Sequence, residues 1–242
     1  MNWQGKRVLV TGGASFIGSH LTEALGERGA SVRVVDNLSS GRRENLGDLV
    51  KEGVVELVVG DLLDSSVAKS AVAGMEVVFH WAADHGGRGY IETHQSKCST
   101  NMILDGNVFR AAAASGVEKV IFSSSACVYP EHLQTDANIV PLKESDAYPA
   151  HPQDAYGWEK LVSEKLCEYY ASDYGMDTRI VRFHNIFGPL GTWAGGREKA
   201  PAALCRKIAI AKLTGNPEIE IWGDGEQTRS FCYIDDCVEG LN

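Results

Sequence analysis

Short apolar runs that resemble β-strands alternate with helical patterns along most of the chain. The six runs are residues 7–11, 31–35, 54–59, 77–80, 119–123 and 178–183. Residues 101–114 and 156–174 have helical spacing and lie between predicted strands. Strands and helices that alternate in this way form βαβ units, in which helices cover both faces of a parallel sheet. The sequence therefore predicts an α/β fold with a doubly wound parallel sheet.

The sequence changes character after Phe183, where glycines and prolines cluster ahead of a helical stretch at residues 202–213. We predict a dinucleotide-binding domain of the Rossmann type at 1–183 and a partial substrate-binding region at 184–242. Residues 235–242 have the pattern of a helix that has only begun. This pattern suggests that the C-terminal region is incomplete.

The composition excludes several classes of protein. No apolar run is long enough to cross a bilayer, and the formal net charge of −9 disfavours a nucleic-acid partner. The six cysteines include no Cys-x-x-Cys pair, so we predict neither a metal site nor a disulfide framework. A strand-like run begins at Arg7, which leaves no room for a signal peptide. We therefore expect a cytoplasmic location.

A glycine-rich turn at residues 11–18 (TGGASFIG) follows the first predicted strand and opens the first helix. Glycines allow a dinucleotide pyrophosphate to approach the backbone, and free N–H groups at the helix N-terminus bind its phosphates. Such turns also join strands to helices without binding any ligand. Asp36 ends the second strand, where a carboxylate accepts hydrogen bonds from a ribose 2′-hydroxyl and repels a 2′-phosphate. The combination favours NAD over NADP.

Tyr156 and Lys160 lie one turn apart on a predicted helix, and Ser125 ends the fifth strand in a run of serines. The spacing alone is weak, since a surface pair of residues would look the same. In a shared site, a nearby ammonium would favour tyrosinate, so Tyr156 could exchange a proton with a substrate hydroxyl that Ser125 holds.

These motifs resemble those of the extended short-chain dehydrogenase/reductase (NAD-dependent epimerase/dehydratase) family, although Ser15 stands where that family has the middle glycine of its turn. In this family the serine, tyrosine and lysine are catalytic, and the lysine also holds the nicotinamide ribose. The resemblance implies NAD as cofactor. The cofactor contacts that the turn and the resemblance imply are Gly12, Ser15, Phe16, Ile17, Gly18, Asp36, Asp61, Leu62, Ala82, Tyr156 and Lys160.

Within the family, residues 122–239 resemble the GDP-mannose 3,5-epimerases almost without interruption. The matching segments are 124–131 (SSACVYPE), 142–147 (LKESDA), 152–157 (PQDAYG), 182–189 (RFHNIFGP), 195–203 (GGREKAPAA) and 222–231 (WGDGEQTRSF). Residues 82–89 (AADHGGRG) resemble the substrate loop of that group, but His85 and Arg88 stand where plant members have other residues.

The resemblance assigns the ring-proton acid and base to Cys127 and Lys199. Hydrogens on C3 and C5 of a hexose become acidic only when C4 is a ketone, and inversion then needs a base on one ring face and an acid on the other. A thiol acts as a base only where cations favour the thiolate, and Lys199 would be one such cation. Without the resemblance, Cys127 would be read as a small core residue and Lys199 as an exposed one.

The resemblance also implies a nucleotide-sugar substrate, GDP-hexose in particular, and a homodimer formed through the helices at 101–114 and 156–174. Substrate contacts are implied at Gly87, Ser125, Asn185, Glu198, Lys199, Lys207, Gln227 and Arg229.

Two other functions stay open at this point. One is another nucleotide-sugar enzyme, a 4-epimerase or a 4,6-dehydratase; a dehydratase typically has an acidic residue after its Ser/Thr, where this chain has Ala126 and Cys127. The other is a catalytically silent NAD-binding module, which loss of Tyr156 or Lys160 would have favoured.

Overall fold

The computed structural model describes residues 2–134, 141–226 and 228–242. Its main feature is a six-stranded sheet in the order β3-β2-β1-β4-β5-β6, with every neighbouring pair parallel. The strands are β1 Arg7–Thr11, β2 Ser31–Asp36, β3 Val55–Val59, β4 Val77–His80, β5 Lys119–Ser125 and β6 Asp177–Phe183. The doubly wound α/β sheet predicted from the alternating pattern is confirmed.

Eight α-helices are found in the described residues. They are α1 Phe16–Glu27, α2 Ser65–Val72, α3 Arg88–Thr93, α4 Gln95–Ser99, α5 Asn101–Ala114, α6 Ala155–Tyr174, α7 Ala200–Thr214 and α8 Ile234–Leu241. The helical patterns identified in the sequence correspond to α1, α5, α6, α7 and α8. Helices α2, α3 and α4 were not predicted, because they have only five to eight residues, too few for a clear helical pattern in the sequence.

The core lies on both faces of the sheet, because successive side chains of a strand point to opposite sides. In β1, Val8 and Val10 pack with Leu21 and Leu25 of α1. Leu9 packs on the other face, in the apolar cluster that includes residues of α2, α5 and α6. The two clusters hold the sheet between its helices. Because all six strands are parallel, their carboxyl ends lie along one edge of it.

A small second sheet follows the main one. Strand β7 (Asn185–Phe187) pairs in parallel with β8 (Phe231–Tyr233), and α8 begins at the next residue. Helix α7 lies between them in sequence and has no buried residue. The proposed division into domains at 1–183 and 184–242 stays a prediction.

Across the described residues, no helix is both long enough and apolar enough to span a bilayer.

Candidate active site

The glycine-rich turn lies at the point where the order of the strands reverses, between the carboxyl ends of β1 and β4. Gly12 has a φ of +67°, and a Cβ there would lie 3.0 Å from the backbone of Ala82. A Cβ on Gly18 would collide with the carbonyl oxygen of Gly12. Only glycine fits these positions without strain, so the turn leaves its backbone open to a ligand.

Ser15 replaces the family's middle glycine without blocking the turn. It is the N-cap of α1, and its hydroxyl donates to the carbonyl oxygen of Gly12 at 2.5 Å. Phe16 and Ile17 begin the helix, and all three residues line the large cavity described below. The first turn of α1 therefore faces the space where the resemblance places the cofactor.

Asp36 is buried at the end of β2. Its carboxylate accepts hydrogen bonds from the backbone N–H groups of Ala14 (3.0 Å) and Leu38 (2.8 Å). Burial raises the pKa of Asp36, although these two bonds oppose the rise. Its position beside the turn matches the predicted role of a ribose acceptor, because each carboxylate oxygen has more than one lone pair.

The two residues predicted after β3 occupy different environments. Asp61 is exposed, and its carboxylate accepts hydrogen bonds from the N–H of Leu63 (2.9 Å) and the amide of Asn37 (3.2 Å). Leu62 packs into the core. If Leu62 contacts a cofactor, it must do so through its backbone, because its side chain is part of the core.

Lys160 shows that the site fits a polar cofactor. Its side chain is 1% exposed, and its Nζ is buried and has no hydrogen-bond partner among the described residues. The amine lies 4.7 Å from the ring centroid of Phe122 and 3.6 Å from Oε1 of Glu159. A buried amine without a partner is costly. A ribose hydroxyl at this position would satisfy it.

A buried polar network surrounds Lys160 and was missed by the sequence reasoning. His80 bonds to Oγ1 of Thr11 (2.8 Å) and to Asp105 (2.9 Å), and Asp105 also accepts from Ser163 (2.6 Å). Burial alone would raise the pKa of Asp105, but Lys160 and His80 hold it below its ordinary value. These residues come from four separate elements, so no spacing in the sequence joins them.

Glu159 is the second buried acid beside Lys160. Its Oε1 accepts a hydrogen bond from the amide of Asn101 at 2.8 Å. Burial raises the pKa of Glu159 to about 8, although Lys160 and Asn101 oppose the rise.

Tyr156 and Ser125 face the same space at the end of β5 and the start of α6. The expectation that tyrosinate would be favoured here is wrong. Burial raises the pKa of Tyr156 well above its ordinary value, and the charges of Glu159 and Cys127 add to the rise, while a hydrogen bond with Ser125 opposes it. The amine of Lys160 lies 5.7 Å from the centroid of the phenol ring.

Cys127 and Lys199 come from distant segments and meet at this site. Cys127 is half-buried, and its N–H donates to the hydroxyl of Ser125 at 3.2 Å. Burial raises the pKa of its thiol, although Lys199 and Arg88 oppose the rise. Enclosure by the cavity walls lowers the pKa of Lys199, and Cys127 opposes that fall. Lys199 therefore acts on the thiol in the expected direction, but burial outweighs it.

One large cavity, of about 710 Å³, extends from the glycine-rich turn to Lys199. Its lining includes Ser15 at the turn, Ser125 at the end of β5, Tyr156 at the start of α6, and Lys199. Cys127 is not among the described residues that line the cavity. A volume of this size suits a ligand larger than a monosaccharide.

His85 also lines the cavity. The side chain is exposed, but enclosure by the cavity walls lowers its pKa to about 4, and the charges of Lys199, Lys160 and Arg197 contribute to the fall. Its imidazole is therefore neutral near pH 7. The nearby Arg88 instead forms an ion pair with Asp154 at 2.8 Å.

The other predicted substrate contacts lie near the cavity or on the C-terminal segment, where their polar groups bind neighbouring protein atoms. Asn185 donates to the carbonyl of Ser230 (3.0 Å), and Lys207 donates to that of Glu220 (2.6 Å). The exposed Arg229 donates to the carbonyl of Thr228 at 2.6 Å. Each would exchange this bond for one to a ligand.

Glu198 and Gly87 contact the segment that carries Lys199. Both carboxylate oxygens of Glu198 are used, one by Arg206 (2.8 Å) and one by the N–H of Gly196 (2.7 Å). The N–H of Gly87 donates to the carbonyl of Arg197 at 3.0 Å. Gln227 lies outside the described residues. All of these substrate contacts stay predictions.

Comparison with known proteins agrees with this architecture. A sequence model of the NAD dependent epimerase/dehydratase family matches residues 8–242, so the chain belongs to that family. Its cofactor is NAD, in keeping with the glycine turn, Asp36 and the buried amine of Lys160.

Among curated relatives, the chain is 44% identical over 236 residues to GDP-mannose 3,5-epimerase 1 of Oryza sativa subsp. japonica, and 44% identical to GDP-mannose 3,5-epimerase of Arabidopsis thaliana. These alignments cover 97% of this chain and 60% of each relative. The chain thus spans less than two thirds of the length of either protein.

Among solved structures, one similar chain is UDP-N-acetylglucosamine 4-epimerase from Methanobrevibacter ruminantium M1, with a TM-score of 0.83 and 33% identity; 98% of this chain and 71% of that one are covered. A dTDP-glucose 4,6-dehydratase double mutant from Streptomyces venezuelae, solved with NAD, has a TM-score of 0.80 and 28% identity, with 97% and 70% covered. Enzymes of different reaction type therefore share this fold.

Proposed function

We propose that this chain is the catalytic part of an NAD-dependent nucleotide-sugar epimerase that inverts C5 and C3 of GDP-mannose. The product would be GDP-L-galactose, or GDP-L-gulose when C5 alone is inverted. One observation carries the proposal: Lys199 lines the same cavity as Ser125 and Tyr156, and Cys127 bonds through its N–H to the hydroxyl of Ser125. A reaction confined to C4 needs no such second pair.

The chemistry begins at C4. Bound NAD would oxidise the C4 hydroxyl to a ketone and later reduce it again, which makes the hydrogens on C3 and C5 acidic in between. Tyr156 would take and return the hydroxyl proton, and Ser125 would hold the oxygen. Lys160 would hold the nicotinamide ribose through its buried amine. Because the pKa of Tyr156 is raised, the phenol holds its own proton, so the charges of Lys160 and of the nicotinamide ring of NAD would have to lower that pKa before Tyr156 accepts the hydroxyl proton.

The acid–base pair would then invert the activated carbons. The pKa of the Lys199 amine is lowered and that of the Cys127 thiol is raised, so both shifts favour the neutral form. A neutral amine can accept a ring proton, and a neutral thiol can donate one to the opposite ring face. One inversion would convert the pair into an ammonium and a thiolate, whose opposite charges stabilise each other.

The main competing functions are reactions at other positions of the sugar. Relatives and structural neighbours include 4-epimerases and a 4,6-dehydratase with the same fold. Neither reaction would invert both C3 and C5. A silent NAD-binding module is the third alternative, although Tyr156 and Lys160 are both present and face one site.

Incubation with GDP-mannose and NAD in heavy water tests these functions against one another. We expect deuterium on C3 and C5 of a hexose that keeps all of its oxygens. A 4-epimerase would leave the ring unlabelled, a dehydratase would release water, and a silent module would return the sugar unchanged. Any of these three results contradicts the proposal.

Variants of the acid–base pair provide the control. Cys127→Ala and Lys199→Met should each lower deuterium uptake by at least about a hundredfold. Cys232→Ala should have no effect, since Cys232 is also a half-buried cysteine but lies on β8. Equal losses in all three variants would point to unfolding rather than to loss of a catalytic group.

We further propose a homodimer through α5 and α6. Large apolar side chains on both helices are exposed, including Met102, Ile103, Trp158 and Val162. A second copy that packs against these faces would cover them. Sedimentation of the protein at several concentrations tests this, and a monomer at all of them would contradict it.

A further inference from the structure

The segment that carries Lys199 has little apolar packing to hold it in place. Trp193 and Ala194 are exposed, and Gly195 and Gly196 both have positive φ values, with no atom within 4 Å of where a Cβ on either would lie. Helix α7, which Lys199 caps, has no buried residue. Polar contacts of neighbouring residues must therefore hold Lys199 in the cavity that Tyr156 also lines.

Arg197 supplies the contacts that the apolar core does not. Its guanidinium stacks on the ring of Tyr90 at 4.0 Å and donates to the hydroxyl of the same residue at 2.5 Å. It also donates to the carbonyl of His85 (2.9 Å) and forms an ion pair with Asp84 (3.3 Å). The carbonyl of Arg197 accepts the N–H of Gly87 at 3.0 Å. Its side chain is only 18% exposed.

Gly87 allows the two segments to approach this closely. A Cβ at this position would lie 2.5 Å from the carbonyl oxygen of Glu198, which is closer than real Cβ atoms come to another atom. The backbone of residues 197–198 therefore lies directly on the loop at residues 84–87. This close backbone packing restricts the position of Lys199, which is the next residue in the chain.

The residues that bind the guanidinium of Arg197 are themselves connected by hydrogen bonds to helix α6. The hydroxyl of Tyr90 donates to Asp84 at 2.8 Å. Asn101 accepts the N–H of Asp84 (2.7 Å) and donates to its carbonyl (3.1 Å) as well as to Glu159 (2.8 Å). Glu159 lies on α6 between Tyr156 and Lys160. Hydrogen bonds thus connect Arg197 without a break to the helix that carries both.

Glu198 makes a second set of polar contacts that hold the same segment. Its carboxylate binds Arg206 of α7 and the N–H of Gly196. Arg197 and Glu198 are consecutive residues. The first binds the loop at residues 84–90 and the second binds α7, while the following residue, Lys199, lines the cavity.

We propose that Arg197 is a positioning residue, which fixes the amine of Lys199 relative to Tyr156 and Lys160 through Tyr90, Asp84 and Asn101. This inference rests on the proposed function for its catalytic meaning. Its structural content, that Arg197 holds Lys199 in its cavity position, can be tested without any substrate.

The test compares the reactivity of Lys199 in the wild type and in three variants. Trace acetylation at a series of pH values, with site-resolved mass spectrometry, gives the midpoint at which the amine loses its proton. Arg197→Met removes the contacts. Arg197→Lys keeps the positive charge but loses the planar fork that binds Tyr90, Asp84 and His85 together. Arg33→Met is the matched control, because Arg33 is 20% exposed and also bonds to several carbonyls, but lies on β2.

Release of Lys199 from the cavity should return its pKa toward the ordinary value. We expect the midpoint to rise in both Arg197 variants by about half a unit or more, roughly a threefold change in the protonation equilibrium. Arg33→Met should match the wild type. Profiles of both Arg197 variants that superimpose on the wild type would overturn the proposal. A shift in Arg197→Met alone would assign the effect to charge and would overturn it too.

Deuterium uptake from heavy water provides the second arm. If the wild type exchanges ring protons, both Arg197 variants should do so at least about tenfold more slowly, while NAD binding stays within about twofold. If the wild type exchanges none, the proposed function fails, but the acetylation profiles still decide the role of Arg197. Should Arg197→Met not fold, Tyr90→Phe removes one hydroxyl contact and should shift the midpoint in the same direction.

Discussion

The half of the site that faces the cofactor and the half that carries Lys199 are built in different ways. Helix α1, which follows the glycine turn, has six buried residues, whereas α7, which follows Lys199, has none. The first half is set by close backbone packing in the core, and the second by hydrogen bonds and ion pairs of Arg197, Glu198 and Arg206. Damage to the first should therefore affect folding and NAD binding together, and damage to the second should affect only the chemistry.

The largest effect should come from Gly18→Ala. The new Cβ would collide with the carbonyl oxygen of Gly12 and lie 2.7 Å from the Cα of Gly13, so the turn would have to open. We expect NAD affinity to fall at least about a hundredfold and the free energy of unfolding to fall by about 2 kcal/mol or more. Calorimetric titration and thermal unfolding measure the two quantities.

Gly240→Ala is the matched control for this variant. Gly240 lies within α8 and has open space where a Cβ would extend, so alanine there should be neutral or should stabilise the helix by up to about 1 kcal/mol. Normal NAD binding by Gly18→Ala would contradict the proposed difference between the two halves of the site, because the glycine-rich turn would then not depend on close backbone packing.

An intermediate effect is expected at Cys127 when Lys199 is replaced. Lys199 lowers the pKa of the thiol against the rise caused by burial, so Lys199→Met should raise that pKa further. Since iodoacetamide reacts with the thiolate, alkylation of Cys127 at mildly alkaline pH should slow by about three- to tenfold. Site-resolved mass spectrometry measures it, with Cys205 as the internal reference. Faster alkylation would contradict this prediction. It would mean that the amine of Lys199 blocks access of the reagent to the thiol more than it lowers the pKa of the thiol.

The smallest effect should come from Ser15→Gly. This change restores the family's usual glycine and removes the hydrogen bond from Ser15 to Gly12. Glycine is also an acceptable N-cap, so we expect NAD affinity within about threefold of the wild type and a stability change of only a few tenths of a kcal/mol. A loss of tenfold or more would show that Ser15 itself holds the pyrophosphate.

Much of the fold could be predicted from the sequence because its signals are local. The apolar runs and the glycine turn gave the strands and the position of α1 within one or two residues. The short helices α2, α3 and α4 were missed, and the pKa of Tyr156 was expected to move in the wrong direction. Burial, which the sequence does not report, makes the largest contribution to that pKa.

The candidate site divides in the same way. Ser125, Tyr156 and Lys160 could be named from motifs, whereas Arg197, Asn101 and Asp105 could not. Arg197 lies within a segment that resembles the GDP-mannose 3,5-epimerases, but nothing in its spacing indicated that it would stack on Tyr90. Its partners come from residues 84–90, far away in the chain.

The sequence by itself determined the parallel sheet and the position of the glycine-rich turn and favoured NAD, because periodicity, glycine and a carboxylate at the end of a strand act over a few residues. The tertiary structure alone decided how the buried acids surround Lys160, how burial moves the pKa values of Cys127, Lys199 and Tyr156, and how Arg197 joins two distant loops. These properties depend on distance and hydration in the folded chain, which no local pattern encodes.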